Sequence, residues 1–178
     1  PILKGEDILL LQAKYINAAY GLPDSVVEQN NILNSAVYAI LKKVPDDKKA
    51  KLDIIATIKH YATNSEMKKD VVAERMANTV LNPWFRAYIS LDPQVYVSKI
   101  KYPALLMFGE KDLQIPAKEN IAAIKNNPEN ITVVTVEDVN HLFQNAIKGT
   151  PDEYSNPENV TMNDVTLNII YTWLKNKI

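Results

Sequence analysis

Apolar residues recur every three or four positions through the first eighty residues of the chain, and then that rhythm stops. Ile8, Leu11, Tyr15 and Ala18 share one helical face, behind the acidic pair Glu6-Asp7 that suits a helix N-terminus. Tyr20-Gly21 closes this helix and Pro23 bars its continuation. Asp24 or Ser25 is placed to cap a second helix, in which Val26, Leu33, Val37, Ile40, Leu41 and Val44 keep helical spacing. Pro45-Asp-Asp47 breaks and restarts the chain, and Leu52, Ile55 and Ile58 predict a third helix to about Tyr61. Asn64 or Ser65 is placed to cap a fourth, with Met67, Val71, Met76 and Val80 inward. Residues 5–81 therefore predict four helices with short connections, without repeats or low-complexity linkers.

Residues 82–93 change character. They are dense in aromatics and prolines, which predicts an irregular segment packed by Trp84, Phe85 and Tyr88. Ala104 to Phe108 is a continuous apolar run between Pro103 and Gly109. A short run apolar on both faces suits a strand of a parallel sheet covered by helices on each side. Gly109 can take the positive φ that a sharp exit from a strand often needs. A helix with Pro116 at its first turn is expected to run to about Asn126. Ile131 to Val136 is β-branched throughout and predicts a second strand. Asp112 follows the first strand, and His141 follows the second in Asn140-His-Leu-Phe143. After a polar loop to Pro157, Thr161 to Asp164 matches a capping box, and a last helix is expected to bury Leu167, Ile170, Trp173 and Leu174. Two parallel strands do not form a stable sheet alone. Either the helices cover them, or sheet partners lie outside this sequence.

Composition removes several classes of function. The 178 residues suit about one domain, and 47% apolar content is ample for a core. A net charge of −1 gives no overall attraction to nucleic acid or anionic lipid. No apolar stretch is long enough to span a membrane, and no basic-then-apolar leader is expected. With no cysteine there is neither a disulfide nor a thiol nucleophile. Asp152, Glu153 and Glu158 lack metal-ligand spacing, so neither a metal nor a cofactor is expected. Composition leaves the cellular location open.

The chemistry that remains centres on Asp112 and His141. Catalytic residues of open α/β sheets sit beyond the carboxyl ends of strands. An acid after one strand and a histidine after the next suggest a carboxylate that orients an imidazole, leaving Nε2 as general base. Such a pair needs a nucleophile, and in a Ser, acid, His order the serine sits in a Gly-x-Ser-x-Gly turn. The four glycines, Gly5, Gly21, Gly109 and Gly149, bracket no serine. None of Ser25, Ser35, Ser65, Ser90, Ser98 or Ser155 follows a predicted strand. His60, near the end of the third helix, suits a C-terminal cap interaction. Glu110 and Lys111 suit a solvated loop, and Gln114 could touch either a substrate or the loop backbone.

The segments Tyr102-Pro-Ala-Leu-Leu-Met-Phe-Gly-Glu-Lys-Asp112, Gln114-Ile-Pro116, Asn140-His-Leu-Phe-Gln144 and Gly149-Thr-Pro-Asp-Glu-Tyr154 together resemble the C-terminal half of a bacterial α/β-hydrolase of the esterase and peptidase-like serine hydrolases. Pro1 to Gln12 resembles the segment that leaves the strand after the nucleophile elbow in that family. The resemblance implies an α/β fold with two regions. Residues 1–81 would form a helical cap, and residues 82–178 the C-terminal part of the core, with parallel strands flanked by helices. It also implies Asp112 as triad acid and His141 as triad base, in an enzyme acting on carboxylic esters or small amides. The half that carries the nucleophile is absent, so the chain alone is expected to be inactive. Its expected partners are the small ester or amide substrate of the intact enzyme, and either an N-terminal hydrolase half or further copies of the chain covering the sheet edge. The alternative is a non-catalytic binding domain on a degenerate hydrolase scaffold. Neither nucleic acid nor membrane is an expected partner.

Overall fold

A computed structural model describes residues 1–124, 129–157 and 161–177. They divide into two compact units, Lys4–Leu91 and Asp92–Ile178 with Pro1–Leu3. The first contains α1 (Gly5–Ala19), α2 (Asp24–Lys43), α3 (Asp47–Tyr61), α4 (Asp70–Val80) and α5 (Pro83–Ser90).

Local chemistry sets most of these boundaries. Gly21, at φ +77°, ends α1. Its N–H reaches the Ala18 carbonyl at 2.9 Å and the Leu22 N–H reaches Asn17 at 3.1 Å, the paired bonds of a Schellman stop. Asp46 begins α3 by accepting the Lys49 N–H at 2.7 Å. No side chain caps α2; Pro23 occupies that position and Asp24 is already helical.

Besides the missing cap of α2 and Val71, which is 81% exposed rather than inward, three expectations for this unit are corrected. Residues 83–90 are helical rather than irregular. Asn82 accepts the Phe85 N–H at 2.8 Å and Pro83 takes the first helical position, so the Asn-Pro pair is a helix start. Trp84 stacks on Tyr88 but stays 68% exposed, while Phe85 turns inward against Tyr38. The predicted fourth helix is split. Asn64 caps only a 3-10 turn, Ser65–Lys68; Lys69 is extended and α4 starts at Asp70. Finally, α3 buries Ala50, Ile54 and Ile58 and leaves Leu52 exposed. Positions four apart form that stripe, with a small residue at one end.

The core of the unit joins Leu33, Val37, Tyr38 and Leu41 of α2 to Ile54 and Ile58 of α3, Ala73 and Ala77 of α4 and Ile89 of α5. Arg86 closes one end of it. Its guanidinium donates to the Leu41 carbonyl, to the Val44 carbonyl at 3.1 Å and to the Asp47 carboxylate at 2.8 Å. One side chain thereby satisfies two carbonyls at the C-terminal end of α2, those of Leu41 and the capping Val44, and holds the start of α3.

The second unit contains α6 (Gln94–Val97), β1 (Ala104–Gly109), α7 (Ala117–Ala122), β2 (Ile131–Val136), a 3-10 turn at Pro151–Ser155 and α8 (Asp164–Lys175). The strands pair in parallel, Ala104 opposite Ile131 through Gly109 opposite Val136. The helix expected to run to about Asn126 is shorter: α7 ends at Ala122, and Ala123 and Ile124 already lie beyond it.

The fold class expected from the sequence is overturned here. Of the described residues 59% are helical and 8% lie in strands or bridges, and the sheet has two strands only, unlike a typical α/β-hydrolase portion. Nor is β1 the fully buried strand that its apolar run suggested: Leu105, Leu106 and Met107 are half-buried. An apolar run identifies a strand but does not count its neighbours. The last helix also differs. Asn163, not Thr161, caps it, accepting the Val165 and Thr166 N–H groups at 2.8 and 3.1 Å. Thr166 is fully buried, whereas Leu167 and Leu174 are 50% and 45% exposed. Trp173 ties α8 to β2 through an indole N–H donated to Thr132 Oγ1 at 3.1 Å.

Candidate active site

Two loops leave the parallel ends of β1 and β2 and stay joined beyond them. The Glu110 N–H reaches Val136 at 2.8 Å, and the Lys111 N–H reaches Val139 at 3.0 Å. Gly109 lies between the loops, and its role differs from the one expected. Its backbone is not in the left-handed region, where only Gly21 and Gly149 among the glycines are found. A Cβ at Gly109 would instead stand 2.5 Å from the Val139 carbonyl oxygen and 2.8 Å from that of Asn140. Glycine is needed there for close approach of the second loop.

The first loop turns at once, with the Asp112 N–H on the Gly109 carbonyl at 3.2 Å. The Asp112 side chain is 7% exposed. Its Oδ1 accepts the Gln114 and Ile115 N–H groups at 2.8 Å each, an Asx turn that leaves Oδ2 pointing elsewhere.

The second loop is built around Asn140, which has no exposed surface. Its Oδ1 accepts the Leu142 and Gln144 N–H groups at 2.9 and 3.1 Å, and its Nδ2 donates to Gln144 Oε1 at 3.3 Å. Phe143, at φ +56°, completes the turn with its N–H on the Asn140 carbonyl at 3.0 Å. His141 is thereby held at the turn. The structure brings the two sequence-predicted site residues together: His141 Nδ1 lies 3.0 Å from Asp112 Oδ2.

A third segment packs on the first loop. Gly149, at φ +76°, passes so close to Lys111 that a Cβ would overlap its carbonyl oxygen. The Glu153 carboxylate gathers the N–H groups of Ile147, Lys148 and Gly149 at 2.9 to 3.2 Å. Gln114 Nε2 donates to Tyr154 Oη at 2.8 Å. Burial raises the Tyr154 phenol above its ordinary range, and the nearby Asp112 and Glu153 charges add to the rise, against the lowering by the Gln114 hydrogen bond. Lys111 sits 3.6 Å from Glu110 and 3.5 Å from Asp138, surface pairs that contribute little.

Asp112 and His141 line a cavity of about 400 Å3 whose other walls include Ile2, Ile115 and Phe143. Its lining also takes in the consecutive residues Leu105 to Phe108. Successive strand residues point to opposite faces, so a cavity that meets all four runs along the edge of β1 away from β2, which is unpaired among the described residues. The lining holds no hydroxyl or thiol side chain among the described residues. His60, in the helical unit, is exposed and meets Tyr61 edge-on, with ring centres 4.6 Å apart. No cluster of three or more His, Cys, Asp or Glu suited to a metal occurs among the described residues, and Glu158 lies outside them.

Asn140 and Glu153 escaped assignment from the sequence, although both fall in the segments that carried the resemblance. Their contribution is to backbone N–H groups, and side-chain spacing gives no sign of it. Comparison with protein-family models, curated proteins and solved structures found no match. The chemistry of the site therefore rests on its geometry. An imidazole that donates its Nδ1 proton to Asp112 has its lone pair on Nε2, the tautomer that a general base requires.

Proposed function

We propose that Asp112 and His141 are the acid and base of a Ser-His-Asp relay in a hydrolase of carboxylic esters or small amides. The serine is supplied from outside the 178 residues. The observation that carries this reading is the 3.0 Å contact between a buried carboxylate and His141 Nδ1, at the wall of a largely apolar cavity. In the reaction His141 Nε2 takes the serine proton as the hydroxyl attacks the carbonyl carbon. It then returns that proton to the departing alcohol or amine. Asp112 holds the ring in the productive tautomer and stabilises the imidazolium. The open edge of β1 offers the backbone groups on which the polypeptide carrying the serine pairs.

Loss of the serine from such a relay typically costs about 10⁶ in kcat. The chain alone is therefore expected to hydrolyse p-nitrophenyl acetate no faster than free imidazole does, and to take no label from a fluorophosphonate. Joined to the sequence encoded ahead of it, it should label at one serine, and His141→Ala should abolish that labelling. Labelling that is indifferent to His141→Ala and to Asp112→Asn, or its absence from the joined protein, would rule the relay out and leave a binding domain.

A further inference from the structure

The helical unit has a cavity of its own, of about 270 Å3, separate from the Asp112 and His141 site. Its floor is the buried apolar core, with Leu33, Val37, Ile54 and Ile58. Met67 and Met76, both half-buried, form one wall. Three half-buried carboxamides, Asn17, Asn30 and Asn34, form another, with Tyr38 beside them.

The pattern along α2 makes those asparagines unusual. At 100° per residue, positions 30 and 34 fall in the middle of the stripe defined by the buried Val27, Leu33, Val37 and Leu41. A core-facing stripe requires apolar side chains at its centre, and asparagine is also among the weaker helix formers. Two carboxamides there cost stability twice over. Nothing in the fold offsets it: the side chains of Asn17, Asn30 and Asn34 hydrogen-bond to no other described residue. Polar groups that converge on an apolar hollow without serving the fold are the usual make-up of a small-molecule site.

The lining also selects the ligand. Among the described residues it contains no charged side chain, so an ionic head would lose its hydration without a counter-charge. Carboxamides and a phenol both donate and accept, so they match a head group that does the same. The thioethers and branched aliphatics suit a short, flexible apolar tail.

We propose that this cavity binds a small neutral amphiphile, a short alkyl chain ending in a carboxamide, with the head held by Asn17, Asn30 and Asn34 and the tail on Val37, Ile54 and Ile58. The probe is hexanamide, set against hexanoate and hexylammonium, which share its tail length but carry charge. Titration of the full chain followed by 1H–15N NMR should show saturable shifts of the three asparagine side-chain NH2 signals with hexanamide. The two ions should bind at least tenfold more weakly. Asn34→Leu completes the apolar stripe, so it should leave the thermal midpoint unchanged or raise it while weakening hexanamide at least tenfold. Absence of saturable shifts up to a concentration on the order of 10 mM would overturn the proposal. So would equal binding of either ion, or an Asn34→Leu variant that binds as well as the parent. A loss of stability in Asn34→Leu would overturn it too, because the carboxamide would then be serving the fold.

Discussion

Gly109→Ala is the sharpest perturbation of the candidate site, because a single methyl group tests how the two loops are held together. The new Cβ would sit 2.5 Å from the Val139 carbonyl oxygen and 2.8 Å from that of Asn140. Both are backbone atoms, so no side chain can swing aside. The Val139 carbonyl must withdraw by about 0.5 Å merely to reach 3.0 Å. Carried along the loop to His141, the same displacement stretches the 3.0 Å contact with Asp112 to about 3.5 Å, the limit of a hydrogen bond. Overpacking of this kind costs about 1–3 kcal/mol. Urea unfolding should show that loss of stability. Long-range 15N correlation spectra should show His141 losing its single tautomer, since the ring no longer donates to a fixed oxygen. Gly21→Ala is the control. Its Cβ meets nothing within 4 Å, and its cost comes from φ +77° alone, about 1 kcal/mol, with no effect on His141. If Gly109→Ala unfolds within about 0.5 kcal/mol of the parent and keeps the His141 tautomer, the close approach of the loops is not what positions the imidazole.

Other parts of the structure make separate predictions. Asp112→Asn should keep the Asx turn, since the amide oxygen still accepts the Gln114 and Ile115 N–H groups, but it faces His141 Nδ1 with a donor. The ring proton should move to Nε2, visible in the 15N shifts; an unchanged Nδ1–H tautomer would refute the assigned role of Oδ2. Arg86→Lys keeps the charge but not the fork that reaches two α2 carbonyls and Asp47. It should cost about 1–3 kcal/mol, because it strips partners from partly buried carbonyls; a thermal midpoint equal to the parent's would show that the network is dispensable. Tyr38 tests burial. Desolvation, and after it the Glu6 carboxylate, push the phenol from 10.0 up to about 12. The folded state thus favours the neutral phenol. That stabilisation is whole below pH 10 and is lost as pH rises from 10 through 12. Between pH 9 and 11 the urea midpoint of the parent should fall more than that of Tyr38→Phe; parallel falls would contradict the burial of this hydroxyl.

Local chemistry written in the chain determined where many elements start and stop, and which residues stand at the ends of the strands. The helix stop at Gly21, the break at Pro45 and the placing of Asp112 and His141 after consecutive strands need only backbone preferences and short-range bonds. Aromatic density after Asn82 masks a cap followed by a proline, a signal equally local. What the tertiary structure alone decided is of another kind. Among the described residues the sheet has two strands; an apolar run says that a strand wants cover and not what will provide it. Gly109 is required by a carbonyl on a loop thirty residues away, not by its own φ. Asn140, at the head of the motif that carries His141, works by collecting N–H groups that no spacing rule displays. The contact between Asp112 and His141 stands in the same position. Their order along the chain made it a reasonable expectation, but a distance of 3.0 Å depends on both loops being clamped past the ends of the strands. Long-range packing creates that clamp, and linear sequence carries no record of it.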